Sequence, residues 1–164
     1  MSTINGLPAH VLLVHIIVVF VPLTAALLIL SALWAAARRR LVWLVAVLAV
    51  VTTVLTPVTT DAGEWLEKRV GQSPALHTHT ELGDTMLYFV IPMLVVTALL
   101  VVVHVREQRG KPLMRVLTAA VAVLAVFSGV AATVQVYRIG ESGARATWGD
   151  KVASLGDELH HSGR

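Results

Sequence analysis

The stretch from Val11 to Ala37, VLLVHIIVVFVPLTAALLILSALWAAA, decides the fold, because it runs without a single Asp, Glu, Lys or Arg. About 20 apolar residues in a helix suffice to cross the ~30 Å hydrocarbon core of a bilayer. Three later stretches have a similar length and character. We therefore predict an all-α, integral membrane, up-down-up-down four-helix bundle, with spans at about 11–37, 41–60, 86–105 and 113–136. In this prediction residues 1–138 form the transmembrane domain and residues 139–164 form an outer C-terminal tail.

The composition of the whole chain agrees with this assignment. Of its residues 56% are hydrophobic and only 14% are charged, and the mean hydropathy is +0.77, which excludes an ordinary water-soluble domain. The absence of cysteine excludes disulfides, thiolate metal sites and covalent haem attachment. The basic residues that give the net charge of +3 lie at the ends of apolar segments, so we expect no binding of nucleic acid.

The distribution of basic residues predicts the orientation in the membrane. Positively charged connections remain on the cytoplasmic side of a membrane protein. The connections after the first and third spans carry one acid, Glu107, so we expect both of them to be cytoplasmic and both chain termini to face outward. Their basic residues are Arg38, Arg39, Arg40, Arg106, Arg109, Lys111 and Arg115.

Histidine is the most informative residue type, because six of the seven histidines fall on the predicted outer side. Counting ~1.5 Å per helical residue from the cytoplasmic ends places His10, His15, Glu64 and His79 in one layer at the outer ends of three helices. His77 also reaches this layer, but we expect it to be more exposed than His79. The sequence therefore predicts a ligand-rich cluster at the outer mouth of the bundle.

Two kinds of cofactor suit this cluster. A haem b requires two facing imidazoles, for which His15 and His79 are the natural pair. A mononuclear zinc, copper or iron centre would use His10, His15, His79 and Glu64. The spacing of His10 and His15 is an obstacle to the second arrangement, because side chains five residues apart on a straight helix diverge by about 140°.

The remaining histidines are expected to have other roles. His104 lies beside Arg106 at the inner end of the third span, where we expect an interfacial side chain that reaches toward water or forms a hydrogen bond. His160 and His161 lie in the polar C-terminal end, and the sequence leaves their participation open.

Four segments of the chain form a recognisable set of motifs, namely Gly6–His15 (GLPAHVLLVH), Asp61–Glu67 (DAGEWLE), His79–Asp84 (HTELGD) and Arg138–Trp148 (RIGESGARATW). They resemble the motifs of the bacterial DUF2231 membrane-protein family. The resemblance implies four spans and carries family positions over to His10, His15, Glu64 and His79. It also implies redox work, because relatives look to be fused to Rieske-type or cytochrome c-like modules. We expect the protein in the bacterial cytoplasmic (inner) membrane.

The leading functional hypothesis is a membrane protein whose outer cluster binds haem b or a redox metal, for electron transfer or metal handling with a redox protein or larger membrane complex. The alternative is a non-enzymatic membrane partner or assembly subunit in which the histidines are structural. A proton or solute carrier is the least favoured, because spans two to four carry no ionisable residue at mid-depth. Whether the protein is an enzyme stays open.

Overall fold

The computed structural model describes the backbone of residues 3–4, 7–70 and 73–162, and the side chains of residues 10, 12–69 and 73–149. A two-residue antiparallel ladder, in which β1 (Thr3–Ile4) pairs with β2 (Leu7–Pro8), precedes the first helix. Five helices follow: α1 (Ala9–Leu33), α2 (Ala35–Val70), α3 (Pro74–Asp84), α4 (Leu87–Gln108) and α5 (Arg115–Ser162). The predicted all-α four-helix bundle is confirmed.

Four segments are long and apolar enough to cross a membrane, namely Leu12–Leu33, Ala35–Arg69, Pro74–Gln108 and Arg115–Gly149. Large apolar side chains such as Val54, Val123 and Phe127 are exposed on the outside of the bundle. In water such a surface would be unfavourable, whereas lipid tails solvate it well. The protein is therefore a multi-pass membrane protein.

The helices form a four-sided arrangement in which α1 and α4 each pack against both α2 and α5, and α3 packs on α2 and α5. The core consists of small and branched apolar side chains, and Gly129 allows α5 to approach α1 closely. A Cβ at Gly129 would lie 3.0 Å from the Ile29 Cδ1 atom. The core side chains include Val21, Ala25, Leu28, Val45, Val90, Met93, Leu100 and Ala132.

The chain turns between α1 and α2 at Trp34, earlier than the predicted connection at residues 38–40. The Trp34 amide donates the last hydrogen bond of α1, to the Leu30 carbonyl, and the Trp34 carbonyl accepts from the Arg38 amide, as the first bond of α2. One residue thus ends one helix and begins the next. The residues Ala35 to Arg40 consequently belong to α2.

Helices α2 and α5 are longer than their predicted spans of 41–60 and 113–136. With 36 and 48 residues they measure about 54 and 72 Å, well above the ~30 Å of a hydrocarbon core. Helix α5 passes residue 138 without a break, so the boundary predicted between membrane domain and tail lies inside a continuous helix. The long helices carry backbone past the bundle end that contains His10 and His79, which we call the histidine end.

The opposite end of the bundle, the arginine end, contains Arg38, Glu107 and His104. The Arg38 guanidinium is buried and forms a two-point ion pair with Glu107, in which Nη2 lies 2.7 Å from Oε1 and Nε lies 3.1 Å from Oε2. The expectation that His104 is an interfacial side chain reaching toward water is wrong. His104 is only 6% exposed, because it lies on the buried face of α4, about one turn before Glu107.

Candidate functional site

His10, in the first turn of α1, is held against the far end of α2. Its Nδ1 lies 3.0 Å from the Thr59 carbonyl oxygen. A carbonyl oxygen only accepts hydrogen bonds, so the proton of the neutral ring is assigned to Nδ1 and the acceptor lone pair to Nε2. This contact fixes both the orientation and the tautomer of the imidazole.

A glycine makes this contact possible. Gly63 lies four residues after Thr59 on α2, and a Cβ at Gly63 would lie 3.0 Å from both Cε1 and Nδ1 of His10. In a helix, residue i+4 flanks the carbonyl of residue i, because that carbonyl accepts its backbone bond from the amide of residue i+4. Without a side chain at Gly63, the ring reaches the carbonyl and rests on the helix backbone.

His79 is held by the same arrangement on another pair of helices. It lies on α3, and its Nδ1 is 3.1 Å from the Ile139 carbonyl oxygen and 3.0 Å from the Ser142 hydroxyl on α5. Gly143 again lies four residues after the accepting carbonyl, and a Cβ there would lie 3.0 Å from His79 Cε1. We call each combination of carbonyl and glycine a seat. The chain therefore contains two seats, one for each imidazole.

The two seated rings meet at the histidine end. Their centroids lie 6.2 Å apart and their planes are inclined at 80°. Both line one cavity of about 50 Å³, which is enough for an ion or one to two waters. The other side chains that line this cavity include Val14, Ile17, Thr56, Thr59, Thr60, Thr80, Asp84, Met86 and Ile139.

The structure does not bring the other two predicted ligands to this cavity. His15 is exposed on α1, and it is absent from the cavity lining. Glu64 follows Gly63 but points elsewhere: its side chain is 48% exposed and its carboxylate lies 3.6 Å from the Lys68 amine. Among the described side chains, no group of three or more His, Asp or Glu residues is arranged to hold a metal ion.

His77 takes the exposed position that its rank below His79 anticipated. Its side chain is 68% exposed, and its Nε2 lies 3.3 Å from Glu81, one turn further along α3. The side chains of His160 and His161 lie outside the described residues. The cavity therefore contains His10 and His79, and neither His15 nor His77.

Sequence reasoning missed four residues at the cavity. Gly63 and Gly143 lie within two of the motifs, but no role was predicted for them. Glycine lacks a Cβ, which is why a histidine ring can approach the helix carbonyl so closely at each of them. Asp84 lines the cavity and lies within the electrostatic range of Glu64, Asp61 and Glu67. Met86 lines it from the start of α4. No local signal in the sequence distinguishes the two glycines, because every backbone carbonyl is a possible acceptor.

Comparison with known proteins gives a match to a family model described as a predicted membrane protein, DUF2231, over residues 6–156. No curated protein and no solved structure matches the chain. The matched range includes both histidines and both of their seats. Since it covers nearly the whole sequence, the chain belongs to the DUF2231 family of predicted membrane proteins.

Proposed function

We propose that His10 and His79 together bind one transition-metal ion at the histidine end, and that the protein handles this metal at the membrane surface. The observation that carries the proposal is the pair of seats. Metal-binding histidines usually donate their second ring N–H to a carbonyl or carboxylate, which sets the tautomer and the direction of the ligating nitrogen. Here two imidazoles at one cavity have Nδ1 engaged in this way and Nε2 as the acceptor nitrogen.

The separation of the rings agrees with a shared ion. Metal–nitrogen bonds of about 2.0–2.1 Å place two ligating nitrogens at most about 4.2 Å apart. A ring centroid lies one ring radius behind its nitrogen, so the observed centroid distance of 6.2 Å is just below the maximum for one bridging ion and corresponds to a nearly linear arrangement of the two nitrogens about it. Imidazole pairs suit zinc, copper, iron and nickel.

The size of the cavity favours an ion over haem b. Pockets for ligands of drug size measure about 300–1,000 Å³, several times the volume of about 50 Å³ between the two histidines. The predicted haem pair of His15 and His79 also fails to share a cavity, because His15 is on the exposed side of α1. The residues at this cavity therefore do not fit a haem.

Metal binding to the full-length protein in detergent tests the proposal. Titration with Co(II) and Zn(II) should give one ion per chain in the wild type. His10→Ala and His79→Ala should each abolish binding, since either change leaves one imidazole. His77→Ala is the matched control, because that exposed histidine lies two residues from His79, and it should bind as the wild type does.

Two further variants separate the structure from the sequence prediction. His15→Ala and Glu64→Gln should leave the affinity within about twofold, because neither side chain lines the cavity. Equal metal content in the wild type and His79→Ala, measured on samples of equal monodispersity, would overturn the proposal. The alternative of a structural membrane subunit would then be the better account.

A further inference from the structure

The junction between α3 and α4 places a methionine, Met86, among the residues that line the cavity. α3 ends at Asp84 and α4 begins at Leu87, so Thr85 and Met86 form the break. Thr85 anchors this break, because its hydroxyl donates to the Leu82 carbonyl at 2.7 Å and accepts from Gln135 Nε2 on α5 at 2.6 Å. Met86 is consequently directed inward, with 2% of its surface exposed.

Met86, the N-terminal cap of α4, differs from Met93, the buried methionine within α4. Met93 is fully buried in the apolar core and is absent from the cavity lining. Met86 also packs in the core, which is the ordinary role of a buried methionine, but one side of it lines the cavity that contains both imidazoles. The chain has no cysteine, and Met86 is the sulfur-containing residue among the described residues that line the cavity.

We propose that the metal is copper, held as Cu(I) by the imidazoles of His10 and His79 and the thioether of Met86. This inference rests on the function proposed above. Thioether sulfur is a soft ligand that selects Cu(I), whereas zinc sites use imidazole, thiolate and carboxylate. Asp84 also lines the cavity, but among the described residues it forms no three-ligand group with the two histidines. Met86 is the soft donor on the same lining. Copper binds as Cu(I), and binding involves no change in its oxidation state.

Paired variants of the two methionines test the assignment. Met86→Leu removes the sulfur at nearly constant volume, and Met93→Leu makes the same change on the same helix away from the cavity. Cu(I) affinity is measured without oxygen by competition with a coloured Cu(I) chelator, and Zn(II) affinity is measured in parallel. Met86→Leu should weaken Cu(I) binding by at least about tenfold and Zn(II) binding by less than about twofold. Met93→Leu should change neither.

X-ray absorption of the copper-loaded protein supplies an independent signal. The wild type and Met93→Leu should show a sulfur neighbour of copper, which Met86→Leu should lack. Unchanged Cu(I) affinity in Met86→Leu, or an equal loss of Cu(I) and Zn(II), would overturn the copper assignment while metal binding by the histidines stands. Failure of every metal to bind the wild type would overturn the proposed function itself.

Discussion

The two ends of the bundle solve the problem of a buried polar side chain in opposite ways. At the arginine end, Arg38 directs its N–H groups at the Glu107 carboxylate and at the Ser31 and Ala32 carbonyls. At the histidine end, each ring is fixed through Nδ1, and Nε2 remains as an acceptor on a side chain that lines the cavity. The hydrogen bonds of the Arg38 group are closed, although the nearby His104 Nδ1 has no partner among the described residues. The histidine end retains ligand-binding capacity.

This difference separates structural polar groups from a candidate site. A buried ion pair whose donors and acceptors satisfy one another has nothing left to offer a ligand. The seated imidazoles are held in one orientation by their Nδ1 contacts but retain an acceptor nitrogen. Order combined with remaining coordination capacity is the property that favours the histidine end as the functional one.

The largest expected effect belongs to the arginine end. Arg38→Met leaves the Glu107 carboxylate and two backbone carbonyls without their donor. Because Glu107 is 31% exposed, the free energy of unfolding should fall by about 3 kcal/mol, the low end for a buried pair. The measurement is denaturation in mixed detergent and SDS, followed by circular dichroism. The double variant Arg38→Met/Glu107→Leu should recover most of the loss. An unchanged free energy of unfolding in the single variant would show that the Arg38–Glu107 pair does not stabilise the arginine end.

A second prediction concerns the loss of one seat at the histidine end. Gly143→Ala places a Cβ about 3.0 Å from His79 Cε1, so the ring must move off its seat. Metal affinity should fall about 10–100-fold, as for lost orienting contacts elsewhere. Gly140→Ala is the matched control, since it changes the same helix where no atom lies within 4 Å. Equal affinities in both variants would show that the seat does not orient the ligand.

The smallest effect is expected at His104. Its Nδ1 is buried with no hydrogen-bond partner among the described residues, which costs stability. His104→Leu removes this polar atom at similar volume and should raise the free energy of unfolding by about 1 kcal/mol. The same SDS denaturation measures it. A loss of stability would mean that the imidazole of His104 makes a stabilising contact at the arginine end.

The sequence predicted the depth of residues better than their direction. Apolar length and basic connections located the four spans, and counting residues put His10 and His79 at one level, where the structure has them. Depth does not determine which side of a helix a residue occupies. Because His15 follows His10 by five residues, it faces about 140° away, and Glu64 is turned about 100° from Gly63 toward Lys68.

The parts that could not be predicted depend on contacts between helices. The break at Thr85 and Met86 carries no proline, and it is stabilised by Gln135 from α5, fifty residues later. The seats require that a glycine on one helix meets a histidine on another, which local periodicity does not encode. For the same reason His104 was expected near water, although α4 turns it inward.

The two seats also bear on how the molecule is assembled. One seat lies wholly within the hairpin of α1 and α2, and the other lies between α3 and α5 in the second half of the chain. Each half orients its own imidazole, but the cavity exists only once the halves have docked side by side in the bilayer. Anything bound between the rings therefore belongs to both halves, and its binding free energy adds directly to their association.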